Sequence, residues 1–162
     1  MRLRLIVCLA AVLAAAGCMG SGHAPTTPHS ATRAAPVSAP LASASVSALL
    51  NRQRATAGLP ALSRSRQLDA VAMVHARDQA ERGFFGHVGS DGSTVHGRVT
   101  AAGYPSCLSA ENIAMGQGSE AAVMSDWMGS SGHRANILHP RAEQFGFARV
   151  GDTWVMVLAR PC

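Results

Sequence analysis

The sequence predicts an α+β fold in which helices pack on a small antiparallel sheet. Helical periodicity dominates the earlier part of residues 43–162, and strand-like segments gather in the last third. The chain lacks the alternation of strand, helix and strand that builds a parallel sheet. Residues 43–162 are long enough for one hydrophobic core, so we expect a single domain there.

Residues 1–17 predict an export signal. Arg2 and Arg4 supply positive charge, and the apolar run that follows is too short to span a bilayer. The run ends in Ala-Ala-Ala-Gly before Cys18, which resembles the lipobox of bacterial lipoproteins, with alanine where leucine is usual. We therefore expect Cys18 to be lipidated and to anchor the chain to a membrane of the cell envelope. The alternative is ordinary signal cleavage and secretion without a lipid.

Residues 18–42 predict a tether. They are rich in alanine, serine and proline and contain almost no large apolar side chain, so they cannot form a packed core.

Four helices are predicted from apolar residues at helical spacing and from their end signals. They span residues 43–57, 65–82 and 93–99 and a segment that starts after residue 119. The apolar stripe of the second helix includes His75, which we interpret as a hydrogen-bonded residue at the edge of the core rather than a ligand.

The last part of the chain predicts a hairpin. Residues 145–150 and 153–159 are strand-like and flank Gly151-Asp152, a suitable two-residue turn. Residues 111–115 form a further short strand candidate that joins them.

Cysteine usage points to one disulfide. Cys8 lies in the predicted signal and Cys18 is the lipidation candidate, which leaves Cys107 and Cys162. In an exported protein we expect these two to pair, which stabilises the fold by roughly 4 kcal/mol in the chain-entropy model. The alternative is two separate buried thiols.

Charge excludes a nucleic-acid-binding face. The formal net charge is +5, from 14 basic and 9 acidic residues, and every basic residue is arginine. These arginines are mostly scattered and do not interleave with aromatic residues, so we expect no nucleic-acid partner.

Three separate segments carry residues suited to a site. They are Phe84-Phe85-Gly86-His87, Glu111-Asn112-Ile113-Ala114, and the run from Trp127 to Leu138 in which a Ser/Gly-rich turn precedes His133. Together they offer two imidazoles and one carboxylate. By contrast, His96 and His139 are interpreted as surface residues.

In their order and spacing, these segments resemble the CAP superfamily (cysteine-rich secretory proteins, antigen 5, pathogenesis-related 1; the SCP domain), in a bacterial lipoprotein-type form. Further motifs agree, namely Gly58-Leu59-Pro60-Ala61-Leu62, Asp91-Gly92-Ser93, Gly103-Tyr104 and Phe145-Gly146-Phe147-Ala148. The resemblance implies an α-β-α sandwich with a central cleft that carries two histidines and two glutamates. His87, Glu111 and His133 occupy three of these positions, whereas Ser130 stands where many eukaryotic members have glutamate.

Two imidazoles and one carboxylate form a ligand set that Zn²⁺ accepts. We therefore predict a weak divalent-metal site at His87, Glu111 and His133, with Asn112 and Ser130 supporting the cleft. The alternative is a hydrogen-bonded polar cluster of the same residues without metal.

The sequence favours an exported binding or interaction module of the cell envelope, whose partner is a lipid, a cell-wall component or another protein. A first alternative is a metal-dependent hydrolase of peptide or cell-wall substrates; it lacks an evident second carboxylate to act as base. A second alternative is a lipid- or sterol-binding protein that uses an apolar groove. The residues available for such a groove are Phe84, Phe85, Met115, Met124 and Met128.

Overall fold

The computed structural model describes residues 45–162. The predicted signal, the predicted tether and Cys18 lie outside these described residues. Nine elements follow one another along the chain: α1 (Val46–Thr56), β1 (Ser63–Arg64), α2 (Arg66–Arg82), α3 (Val95–Ala101), β2 (Ser106–Met115), α4 (Glu120–Gly129), α5 (Ser131–Ile137), β3 (Gln144–Val150) and β4 (Thr153–Pro161).

Side-chain caps explain where the main helices begin. The hydroxyl oxygens of Ser45, Ser65 and Ser119 accept hydrogen bonds from backbone amides in the first turns of α1, α2 and α4. Helix α2 ends at Gly83, whose φ of 67° lies in the left-handed region that glycine adopts without strain. The predicted limits of α2 are therefore confirmed.

The sheet has the strand order β1-β3-β4-β2. Strands β3 and β4 form the predicted hairpin around Gly151-Asp152, and β2 pairs antiparallel with β4 along the opposite edge. Strand β1 pairs in parallel with β3 over two residues only, which the sequence did not predict because two exposed residues carry no strand pattern.

Both faces of the sheet are covered, which gives three layers. Along β4, Trp154, Met156 and Leu158 belong to a core beneath α1, α4 and α5. The alternate residues of the same strand belong to a second core beneath α2 and α3. The helices and the small sheet thus form the expected α-β-α sandwich.

Three local predictions differ from the structure. Helix α3 spans Val95–Ala101 rather than residues 93–99, because the side chain of Thr94 caps its first turn. Strand β2 begins at Ser106 rather than at residue 111, because β4 continues to Pro161 and pairs with these earlier residues. The Ser/Gly-rich segment before His133 is not an open turn, since residues 131–137 form helix α5 directly after α4.

Cys107 and Cys162 form the predicted disulfide, which joins the start of β2 to the last residue. Within residues 45–162, the helices are too short or too polar to cross a membrane.

Candidate functional site

The carboxylate of Glu111 is the centre of the site. Strand β2 carries it at the edge of the sheet, where its side chain is 1% exposed. Oε2 accepts a hydrogen bond from Nη2 of Arg98 at 2.7 Å, and Oε1 accepts one from Nδ1 of His87 at 2.9 Å. Both oxygens of this buried carboxylate are therefore engaged by charged or ionisable partners.

His87 lies in the loop between α2 and α3, and its side chain is 57% exposed. A carboxylate only accepts hydrogen bonds, so the bond to Glu111 places the proton of the neutral imidazole on Nδ1. The lone pair of Nε2 is then free. The structure thus brings two of the three predicted ligands into direct contact.

Arg98 is the residue that sequence reasoning missed. Its side chain on α3 is 7% exposed. Besides binding Glu111, it donates hydrogen bonds to the backbone carbonyls of His87 at 3.1 Å and Ser93 at 2.8 Å. One guanidinium therefore fixes both the carboxylate and the loop that presents His87. A single arginine in a short helix gives no sequence signal for such a role.

His75 is a further residue that lies close to Glu111. It is hydrogen-bonded, as predicted, but it is fully buried on α2 rather than at the edge of the core; its Nε2 donates a hydrogen bond to the carbonyl of Gly86 at 2.9 Å. The same nitrogen lies 3.6 Å from Oε1 of Glu111. Burial lowers the pKa of His75, and the nearby Glu111 carboxylate opposes this shift only in part.

His133 lies on α5, at the other side of the cleft, and is partly buried. Burial is the main cause that lowers its pKa, and the proximity of His87 lowers it further. A neutral imidazole is the form that binds a metal ion. Among the described residues, however, no group of three or more His, Cys, Asp or Glu side chains is arranged to hold a metal ion, so the three predicted ligands are not gathered into one such group.

Asn112 and Asn136 form a pair of hydrogen-bonded amides between β2 and α5. The Asn112 amide donates to the backbone carbonyl of His133 at 3.1 Å. Asn136 on α5 donates to the side-chain oxygen of Asn112 at 2.9 Å and to the backbone carbonyl of Glu111 at 3.1 Å. These bonds hold α5, and hence His133, against β2.

Ser130 is the residue between α4 and α5, and its side chain makes no capping hydrogen bond. It lines a groove of about 350 Å³ beside His133. The apolar wall of this groove includes Phe85 and Met115, which are 53% and 46% exposed.

The other candidates for an apolar groove lie elsewhere. Met124 is buried in the core, and Met128 packs against that core. Phe84 is partly buried, with its ring edge against His75. Only Phe85 and Met115 of the five predicted residues therefore line the groove beside His133.

Comparisons with known proteins agree with this architecture. Residues 48–157 match the family described as Cysteine-rich secretory protein family, CAP. The uncharacterised protein YkwD of Bacillus subtilis is 30% identical over 125 residues, which cover 76% of this chain and 49% of YkwD. The chain thus spans about half the length of this curated relative.

Solved structures show the same fold. An extracellular protein with an SCP domain from Bacillus anthracis has a TM-score of 0.69 at 26% identity, over 71% of this chain and 39% of that one. An outer surface protein from Borrelia burgdorferi has a TM-score of 0.66 at 20% identity, over 70% and 87% of the two chains. A cysteine-rich secretory protein from Staphylococcus aureus has a TM-score of 0.62 at 18% identity, over 70% of this chain and 36% of that one.

Proposed function

The chain belongs to the cysteine-rich secretory protein (CAP) family, and from this premise we propose that it is an exported binding module whose cleft holds a divalent metal ion between His87 and His133. Glu111 orients His87 in this proposal, while Arg98 holds Glu111 in place.

The hydrogen bond between His87 and Glu111 carries the proposal. It places a proton on Nδ1, so Nε2 is the ring nitrogen that this exposed side chain would offer to a metal ion. A histidine that binds a metal through one nitrogen commonly donates its other N–H to a carboxylate. His87 and Glu111 have this arrangement.

His133 and Glu111 have different roles in the proposed site. His133 contributes a second imidazole from α5, and its lowered pKa favours the neutral form. Glu111 would become a ligand only by giving up its bond to Arg98 or to His87. We therefore assign it the orienting role and leave the other coordination positions to water or to a bound partner. When bound, the ion would act as a Lewis acid that attracts an oxygen or nitrogen atom of the binding partner.

The same geometry favours binding over hydrolysis. A metal-dependent hydrolase needs a base that is free to take a proton from water. Both oxygens of Glu111 already accept hydrogen bonds, and Ser130 stands where a second glutamate occurs in many relatives of eukaryotic origin.

Zinc binding by the full chain, with its disulfide intact, tests the proposal. We expect equilibrium dialysis to show about tenfold or greater loss of zinc affinity in His87→Ala and in His133→Ala. His96→Ala is the matched control, because His96 is an exposed histidine on α3, and it should bind as the wild type does. Equal zinc binding by the wild type and a His87→Ala/His133→Ala double variant would overturn the proposal.

Export and anchoring rest on the N-terminal sequence and on the extracellular or surface relatives. We propose that Cys18 carries the lipid. In a bacterial host, the wild-type chain is then expected in the membrane fraction and Cys18→Ser in the soluble exported fraction. Equal membrane association of the two would contradict lipidation at this residue.

A further inference from the structure

The groove of about 350 Å³ beside His133 has a mixed lining. Its apolar part includes Phe85, Ile113 and Met115, and its polar part includes Gln117, Asp126 and Ser130. Such a lining suits a ligand that has an apolar portion and a polar group, rather than a purely apolar ligand.

The polar part of this lining carries negative charge. Among residues 45–162, the ionisable side chains that line the groove are Asp126, which is exposed, and His133. A ligand whose end is cationic is therefore complementary to it, whereas an anionic end would be repelled.

The carboxylate of Asp126 is restrained by a neighbour. The amide nitrogen of Gln117 donates a hydrogen bond to Oδ2 of Asp126 at 2.9 Å. This bond orients the carboxylate that a cationic ligand would meet.

The apolar wall is an exposed surface. Phe85 and Met115 are two of the five large apolar side chains that are exposed within residues 45–162. A flexible methionine adapts to a methylene chain of varied shape, and burying such a chain against it is favourable.

From these observations we propose that the groove binds a primary alkylammonium on an aliphatic stem, of the kind that a lysyl side chain of a peptide presents. The methylenes lie along Phe85 and Met115, and the ammonium pairs with Asp126. The inference names the ligand class of the binding module proposed above, and so it rests on that proposal, but it does not depend on the metal ion.

Titration of the ¹⁵N-labelled full chain with N-acetyl-lysine amide, in the presence of EDTA, tests this. We expect saturable shifts of the amide signals of Met115, Gln117 and His133. N-acetyl-norleucine amide and Nε-acetylated lysine, which lack the charge, should bind at least about threefold more weakly.

Asp126→Asn should weaken lysine binding by a similar factor. Its matched control is Glu81→Gln, which removes a carboxylate of α2 that is 69% exposed and does not line the groove. Equal affinity for lysine and norleucine, unchanged binding by Asp126→Asn, or the absence of saturation would each overturn the proposal. Zinc binding measured on the same samples separates this result from the metal proposal, because either one can fail while the other holds.

Discussion

Glu111 lies close to residues from α2, from α3, from α5 and from the loop that carries His87. Because its carboxylate is buried, these contacts replace those with water. A carboxylate that is 1% exposed requires compensation for the water it has lost, and Arg98 provides a charge at 2.7 Å. Buried ion pairs of this kind add little net stability, but removal of one partner leaves an uncompensated charge. Their role here is to set the direction in which His87 points.

Arg98→Met is expected to destabilise the fold strongly. It removes the guanidinium from Glu111 and from the carbonyls of His87 and Ser93, so we expect the free energy of unfolding to fall by about 3 kcal/mol. Urea denaturation measures the effect. Arg77→Met is the control: its pair with Glu81 is exposed, so the expected loss is below about 0.5 kcal/mol. Similar losses in the two variants would contradict the role of Arg98.

The buried histidines predict the direction of the pH dependence. The pKa values of His75 and His133 are lowered from 6.5, so the unfolded chain binds more protons than the folded chain once the pH falls below that value. These two histidines therefore do not lower the free energy of unfolding above about pH 6.5, and they lower it progressively as the pH falls from there. Asp78 and Asp91 do not titrate in this window, since their pKa values lie below 3.8.

Urea denaturation at about pH 8 and about pH 5.5 checks this expectation. His75→Gln should flatten the decline, and His96→Gln, an exposed control, should retain it. A stability that rises on acidification would contradict the assignment of His75 as a buried neutral imidazole.

Among the elements, β3 and α2 approach each other closely at Gly146. Gly146 lies so close to α2 that a Cβ atom there would overlap with backbone atoms of Leu68 and Asp69, which cannot move aside as a side-chain end can. This contact fixes α2, and with it His75, against the sheet. It also explains why a glycine stands between Phe145 and Phe147 in β3.

Gly146→Ala is thus expected to lower the free energy of unfolding by about 3 kcal/mol or more. Gly129→Ala provides the control, because a Cβ at Gly129 would meet no atom within 4 Å. Thermal unfolding of both variants is the measurement. A Gly146→Ala variant as stable as Gly129→Ala would show that β3 and α2 are separated more widely.

Elements with strong local signals could be predicted, and those defined by distant partners could not. Ser65 and Gly83 mark the ends of α2 in the sequence, and Gly151-Asp152 marks the hairpin turn. The first half of β2 is strand only because the end of β4 pairs with it.

The site follows the same rule. His87 and Glu111 were predicted from the family motifs, whereas Arg98 and Asn136 act through contacts that only the fold creates. The local sequence around Arg98 or Asn136 does not predict that its side chain forms these hydrogen bonds.

At the scale of the whole molecule, the disulfide between Cys107 and Cys162 links two distant parts of the chain. It joins residues 55 positions apart and holds the end of β4 to the start of β2, the strand that carries Glu111. Replacing both cysteines by alanine should reduce the free energy of unfolding by about 4 kcal/mol in the chain-entropy model. Chemical denaturation of the double variant tests this, and an unchanged midpoint would contradict a structural role for the bridge.

Glu111 orients His87, and a long-range ¹H–¹⁵N NMR spectrum of the histidine side chains detects this through the protons on the two ring nitrogens. We expect a proton on Nδ1 of His87 before zinc is added and, on addition of Zn²⁺, shifts of Nε2 of His87 and of the His133 ring, with His96 unchanged. An Nδ1 of His87 without a proton before zinc is added, or zinc shifts at His96 as large as those at His87, would contradict the orienting role of Glu111.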